Sequence, residues 1–209
     1  MERTEVRIAG AGYGLEGLIL AGGQARRMAG TAKGSLLVGG VPIAETIASQ
    51  MRRACGTVAI AVADIKQAAP YAGLNAEFYI DPQPDCGPLG ALHAALERSK
   101  LGLVWVSACD MPFASAKAAS VMAEALRASD AQAAVPLVGG RLHPLQAVYR
   151  ADCAEAAGSC LAAGDYRMHA LLERVRVIRV TEEQFAREGV DCRFVTNINT
   201  PEDYRRLFA

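Results

Sequence analysis

Short apolar runs alternate along the first two thirds of the chain with stretches in which apolar positions recur every third or fourth residue. Runs at 18–20, 57–62, 76–80 and 101–108 read as buried strands. Between them, Pro42 opens a helix that carries Ile43, Ile47 and Met51 on one face. Gly87-Pro-Leu-Gly90 leads into an Ala/Leu-rich helix through Leu96. Ser115 is placed to cap a helix with Val121, Met122, Ala125 and Leu126 turned inward. A brief extended segment falls at 36–38. Strand and helix in alternation predict an α/β fold: a mostly parallel sheet, covered on both faces and joined by right-handed crossovers.

From about residue 132 the pattern changes. Segments 133–138 and 145–149 read as strands around a Gly139-Gly140 turn, a hairpin that carries His143-Pro144. Helices follow near 151–163 and 168–174, then strands at 175–180 and 194–198. Thr200-Pro201-Glu-Asp203 starts a terminal helix, with Thr as cap and Pro at its first position. There is no repeat and no low-complexity linker, so the second half is expected to be a lobe on a shared sheet. The domain reading is an N-terminal extension over 1–16 and a single domain over 17–209, with halves 17–131 and 132–209.

Composition narrows the function classes. In 209 residues, 52% hydrophobic and 21% charged with formal net charge zero, there is no excess of basic charge to favour nucleic acid or an anionic membrane. No apolar span of about 18 residues predicts a membrane helix. The start, Met-Glu-Arg-Thr-Glu, is acidic where a secretory signal would be basic and then apolar, so a cytosolic protein is expected. Cys55, Cys86, Cys109, Cys153, Cys160 and Cys192 form no Cys-x-x-Cys pair, and with His93, His143 and His169 they make poor zinc-site spacing. Free, mostly buried thiols are expected. Gly10-Ala-Gly12-Tyr-Gly14 fails the dinucleotide spacing, because its last glycine would have to stand at Leu15.

The chemistry concentrates after the first strand. After Leu20 the chain loses its side chains at Ala21, Gly22 and Gly23, and Arg26, Arg27 and Lys33 follow within a loop that Gly30 and Gly34 keep flexible. Small residues let backbone N–H groups approach a phosphate, and the cations supply charge for a polyphosphate. A basic surface loop after a strand is the plainer alternative, and Gly30-Thr-Ala-Lys33-Gly34-Ser35 is not a Walker loop. Asp110 ends the 101–108 strand in Cys109-Asp110-Met111-Pro112. By spacing alone it serves equally as an Mg²⁺ ligand or as a cap for the next helix. Asp81 likewise closes a strand, at the sheet edge where open α/β folds bind ligands. If 194–198 is a strand, Asn197 and Asn199 point the same way and can reach one ligand.

Leu20-Ala-Gly-Gly-Gln-Ala-Arg-Arg-Met28 with Lys33-Gly34 resembles the signature loop of nucleotidyltransferases, and its Arg-Arg-Met form most resembles the molybdenum cofactor guanylyltransferase family. Cys-Asp110-Met-Pro, Ile-Asp81, Gly87-Pro-Leu and Asn197-Ile-Asn199-Thr-Pro-Glu resemble further elements of that family, so the likeness spans nearly the whole chain from Gly17. It implies a three-layer, Rossmann-like mixed sheet of the nucleotide-diphospho-sugar transferase type. It also implies transfer of GMP from GTP to molybdopterin with loss of pyrophosphate, with Mg²⁺ as cofactor and molybdoenzymes or cofactor-delivery proteins as partners. By the same resemblance Arg27, Lys33 and Asp110 are catalytic, Asp110 holding the metal. Leu20, Ala21, Gly22, Gly23, Lys33, Asp81, Gly87 and Asp110 bind the nucleotide. Arg167, Asn197 and Asn199 face the acceptor.

Three departures stand against the family pattern. Ala29 replaces a usual glycine and Ala32 a frequent aspartate, and Ala61-Val62-Ala63 stands where an Asn closes the second strand. They leave open a sister cytidylyltransferase or sugar-phosphate nucleotidyltransferase, and a non-catalytic nucleotide-binding module.

Overall fold

The computed structural model describes residues 14–21, 27–28, 31–81 and 84–208, with the backbone alone at 27–28, 31–32 and 84. The strands are β1 (Leu15–Leu20), β2 (Arg27–Met28), β3 (Thr31–Ala32), β4 (Leu37–Val38), β5 (Val41–Pro42), β6 (Thr57–Val62), β7 (Glu77–Ile80), β8 (Leu103–Ala108), β9 (Ala133–Val138), β10 (Arg141–Leu142), β11 (Gln146–Arg150) and β12 (Val177–Thr181). The helices are α1 (Ile43–Arg52), α2 (Gly87–Arg98), α3 (Ala116–Arg127), α4 (Cys153–Ala162), α5 (Met168–Leu172), α6 (Glu182–Arg187) and α7 (Pro201–Phe208).

Eight strands form one mixed sheet. β1 lies at its centre with β6 and β8 parallel on either side, and β7 continues parallel beyond β6. β11 runs antiparallel to both β8 and β9, so the sheet passes without a break from the first half of the chain into the second. The hairpin turn is built by Gly139 and Gly140, at φ 58 and 70, which suits the tight reversal between β9 and β10. Leu137 pairs with Leu142 on one edge of β9 and with Thr181 of β12 on the other. The α/β reading with a mostly parallel sheet and helices on both faces is borne out.

The central strands are apolar on both faces because both are covered. Leu15 and Ile19 of β1, with Val58, Ile60 and Val62 of β6 and Trp105 of β8, face α1, α3 and Phe185 of α6. Leu18, Leu20, Ala59, Ala61, Val104 and Val106 face α2, α4 and α5. α1, which leads from β1 towards β6, and α2, which leads into β8, thus lie on opposite sides of the sheet.

Several boundaries differ from the sequence reading. β1 begins at Leu15 rather than at Leu18, because Glu16 hides the alternation: its carboxylate accepts the N–H groups of Lys100 and Leu101 at 2.9 and 3.3 Å. Pro42 pairs with Leu37 in β5 and sits just outside the helix, which starts at Ile43. Val121 and Ala125 of α3 are only half-buried, whereas Met122 and Leu126 are fully buried. The strand expected over 194–198 is not formed. Residues Cys192–Val195 make a 3-10 turn in which the Asp191 carboxylate accepts the Arg193 N–H, and Phe194 and Val195 are buried in succession rather than alternately. Past it, the Ile198 N–H donates to the Asp110 carbonyl at 2.9 Å. α6 has no counterpart in the sequence reading, although Thr181 and Gln184 form a reciprocal capping box at its start.

The cysteines are all free thiols. Burial pushes Cys55 and Cys153 up to about 12, so neither carries appreciable thiolate near neutrality. Among the described residues no helix is long and apolar enough to cross a membrane.

Gly17 marks the tightest helix–sheet contact in the sheet's centre. A Cβ there would lie 2.8 Å from Met51 Sδ and 3.1 Å from Met51 Cβ, and the latter atom cannot move without α1. Gly17→Ala is expected to destabilise the fold by about 1–3 kcal/mol, read as a lower urea midpoint. An unchanged midpoint would show that α1 docks with slack.

Candidate active site

β1 is flanked on both sides by parallel strands whose connecting helices lie on opposite faces, so the topology switches direction beside it. Open α/β sheets leave a crevice at such a point, beyond the carboxyl ends of the strands. Three segments converge there. The 3-10 turn Lys33–Ser35 comes from the loop after β1. Asp110 follows β8, whose extension is tied to β1 by the Cys109 N–H donating to the Leu20 carbonyl at 3.1 Å. Asn199 comes from the segment before α7.

Lys33 holds the three together. Its Nζ donates to Asp110 Oδ2 at 3.1 Å and to Asn199 Oδ1 at 2.9 Å, although 77 and 166 residues separate the partners in the chain. Lys33 is only 6% exposed, which makes these oxygens a requirement, because burying an ammonium without hydrogen-bond acceptors is costly. Gly34 allows the burial, because a Cβ there would lie 2.9 Å from the Tyr71 ring that packs over the turn. Next to it, Ser35 Oγ is buried without a hydrogen-bond partner among the described residues.

The two sequence readings of Asp110 separate here. Ser115 caps α3, its hydroxyl accepting the Ala118 N–H at 3.2 Å, so Asp110 has no capping role. Its carboxylate faces the Lys33 ammonium instead.

A cleft beside this cluster is lined by Leu20, Ala61, Val62, Asp81, Gly87, Pro88 and Ala91. Asp81 is 8% exposed and is fixed by its own N–H, which donates to the Val62 carbonyl at 2.8 Å. The structure therefore brings the expected Leu20, Asp81 and Gly87 together. Ala61 and Val62, which stand where the family pattern has an Asn, line the same cleft with Ala91 as an apolar wall. Ala21 is placed differently from a phosphate ligand's needs, since its N–H is taken by the Ala61 carbonyl at 2.9 Å. Gly22, Gly23 and Arg26 lie outside the described residues, as does the side chain of Arg27, whose backbone pairs with Ala32.

The acceptor-side residues are more dispersed. Asn197 and Asn199 are both exposed, on either side of the fully buried Ile198, but no strand carries them. Arg167 is gripped by its neighbour Asp165 through two side-chain bonds, at 2.8 and 2.6 Å, and this guanidinium holds the Asp165 carboxyl down to about 2. The adjacent Tyr166 phenol is hydrogen-bonded to Cys86, which directly precedes Gly87, so this turn abuts the entrance to α2 rather than the Lys33 cluster. His143 is part of the hairpin, its ring nitrogen 3.2 Å from the Val138 carbonyl.

Two positioning residues have no site role in the sequence reading. Gln146 is fully buried; its Oε1 accepts the Trp105 indole N–H and its Nε2 donates to the Phe194 carbonyl, both at 3.0 Å. It ties β8 and β11 to the turn that leads to Asn199. Asp203 Oδ2 accepts the N–H groups of Asn199 and Thr200 at 3.1 and 3.0 Å, and these bonds hold its carboxyl below the usual range. Thr200 and Asp203 spell a capping box, legible in the sequence; a lone Gln within an apolar strand gives a fainter signal.

A family model described as MobA-like NTP transferase domain matches residues 17–190. The chain belongs to this family. As a MobA-like nucleotidyltransferase it is 31% identical to the probable molybdenum cofactor guanylyltransferase of Natronomonas pharaonis, over 91% of this chain and 95% of that one. It is 34% identical to the probable molybdenum cofactor guanylyltransferase of Pelotomaculum thermopropionicum, over 90% of this chain and 88% of that one. The crystal structure of molybdopterin-guanine dinucleotide biosynthesis protein A from Archaeoglobus fulgidus superposes with a TM-score of 0.78 at 26% identity, covering 92% of this chain and 96% of that one.

Gln146→Leu should cost about 1–3 kcal/mol for each buried partner it strands, the Trp105 indole and the Phe194 carbonyl. The check is a lower urea midpoint at unchanged m-value. No loss would mean that water or a rearranged side chain satisfies both groups.

Proposed function

We propose that this nucleotidyltransferase transfers GMP from GTP to molybdopterin. A phosphate oxygen of the acceptor attacks the α-phosphorus, the bond from that phosphorus to the bridging oxygen breaks, and pyrophosphate leaves. The observation that carries the reading is the Lys33–Asp110–Asn199 cluster at the switch point, next to a cleft that ends on Asp81. In such transfers the protein acts chiefly by positioning and by charge neutralisation.

The donor set suits Mg²⁺. Asp110 and Asn199 offer hard oxygen ligands, and no group of three or more His, Cys, Asp or Glu among the described residues forms a complete protein cage. Mg²⁺ commonly takes one or two carboxylates and completes its shell with phosphate oxygens and water. Bound by Asp110, it would neutralise the phosphate charge that develops in the transfer. Lys33 adds positive charge to the same end, and the signature loop assigns Arg27 and the Gly22 and Gly23 amides to the phosphates. Arg167, Asn197 and Asn199 are assigned to the acceptor side.

Base choice falls to Asp81. A carboxylate only accepts hydrogen bonds, and guanine presents two adjacent donors on one edge, N1–H and the N2 amino group. The pairing edges of adenine, cytosine and uracil set an acceptor next to their donor. The apolar wall of Ala61, Val62 and Ala91 packs a base but contributes no side-chain hydrogen bond to it. This wall also sustains a second reading, transfer of another nucleotide. The fold permits it, since the cytidylyltransferase structure from Thermus thermophilus superposes with a TM-score of 0.66 at 22% identity, over 91% of this chain and 95% of that one.

Two experiments test the proposal. Calorimetric titration with GTP, ATP, CTP and UTP should favour GTP, and Asp81→Ala should weaken GTP by roughly ten- to a hundredfold while sparing the other three. Equal affinities in the wild type would reject guanine selection. Asp110→Asn keeps the shape and loses the charge, so pyrophosphate release with molybdopterin should fall by about a hundredfold or more in protein that a thermal transition shows to be folded. Near-normal turnover at saturating Mg²⁺ and GTP would remove Asp110 from the metal site.

A further inference from the structure

Lys33 is expected to serve the triphosphate, yet here its ammonium is committed elsewhere. It is 6% exposed, and its two oxygen partners, Asp110 Oδ2 and Asn199 Oδ1, are the hard donors that suit a divalent cation. The arrangement is built rather than incidental. Asn199 is held through its own N–H by Asp203, Asp110 through its carbonyl by Ile198, and Lys33 by a turn that Gly34 lets pack under Tyr71.

A cation already neutralises the only carboxylate of the cluster. A divalent ion approaching Asp110 in the free protein would meet an ammonium a few ångströms away, in a setting where like charges repel more strongly than in water. It would also have to strip two hydrogen bonds from a buried lysine whose acceptors among the described residues are these two oxygens. A nucleotide changes both terms. Its phosphates are the acceptors that Lys33 then needs, and they are ligands that the metal brings with it.

Resting on the assignment of Asp110 to the metal, we propose that Lys33 is the resident counter-cation of the site. It bars a divalent ion from Asp110 and Asn199 until a triphosphate draws the ammonium away, so metal and nucleotide enter together. The coupling is reciprocal: metal affinity rises on nucleotide binding by the factor by which nucleotide affinity rises on metal binding. One lysine thus has two successive partners, the site's own oxygens and then the phosphates.

The test is Mn²⁺ titrated into the nucleotide-free full chain, with unbound Mn²⁺ read by electron paramagnetic resonance. Wild type should bind weakly. Lys33→Met, close in length and without charge, should bind roughly tenfold more tightly or better, since the repelling charge is gone. Lys33→Gln repeats the measurement should the methionine pack badly, and thermal transitions confirm that each variant is folded. Lys117→Met removes the same charge from the exposed start of α3 and should leave Mn²⁺ affinity unchanged. Adding Asp110→Asn to Lys33→Met should return binding to the wild-type level. Wild type binding as tightly as Lys33→Met overturns the counter-cation role, and so does an equal gain in Lys117→Met. A gain that survives Asp110→Asn overturns it together with the metal assignment. No gain in Lys33→Met, with GTP-dependent Mn²⁺ binding still abolished by Asp110→Asn, overturns the counter-cation role alone.

Discussion

A buried ammonium joins the distant parts of this chain. Lys33 comes from the loop after the first strand, Asp110 from the end of the fourth long one, and Asn199 from just before the last helix. Each is presented by backbone bonds, yet the side chains meet only at Nζ. Burial makes the meeting compulsory, because an ammonium so far out of water must keep its acceptors. The sheet, the helix packing and the carboxyl-terminal segment must all be in place for that condition to be met.

The sheet order gives the cluster its location. With β6 and β8 both parallel to β1 and their helices on opposite faces, the loops at the carboxyl ends part and leave a crevice. The antiparallel β11 then caps the parallel region and brings the second half of the chain over the same edge. Gln146, at the start of that strand, is bonded both to Trp105 and to the carbonyl of Phe194, so the strand that carries Asp110 and the segment that carries Asn199 share one buried amide.

Much of this was legible in the residues. The apolar runs at β6 and β8 and the helix faces of Ile43, Ile47 and Met51 obey simple periodicities, since burial on one face or two leaves a regular trace. Asp81 and Asp110 were legible as strand-end carboxylates. What periodicity could not show is which side chains meet across 77 or 166 residues, because that depends on strand order rather than on local pattern. The carboxyl-terminal strand was misread for a related reason. Phe194, Val195 and Ile198 are buried by distant partners, and their spacing imitates a strand that has no neighbour to pair with. The pairing of Arg167 with Asp165, two residues away, is likewise a contact that periodicity does not show.

The last helix has a consequence of its own. α7 contains no buried residue; it is held by Phe208 against Phe113, by the Tyr204 hydroxyl on the Leu37 carbonyl, and by its cap at Thr200 and Asp203. Tyr204, Leu207 and Phe208 pack half-buried against the core, and a helix with no fully buried side chain belongs lower on the ladder of local openings than the doubly covered sheet. Amide protons of such a unit exchange through openings that leave the central strands protected. The same opening would loosen Asn199 from Asp203 and give Lys33 one acceptor fewer. The Asn199 oxygen therefore hangs on an element without a fully buried side chain, and its lifetime follows local opening of that element rather than global unfolding.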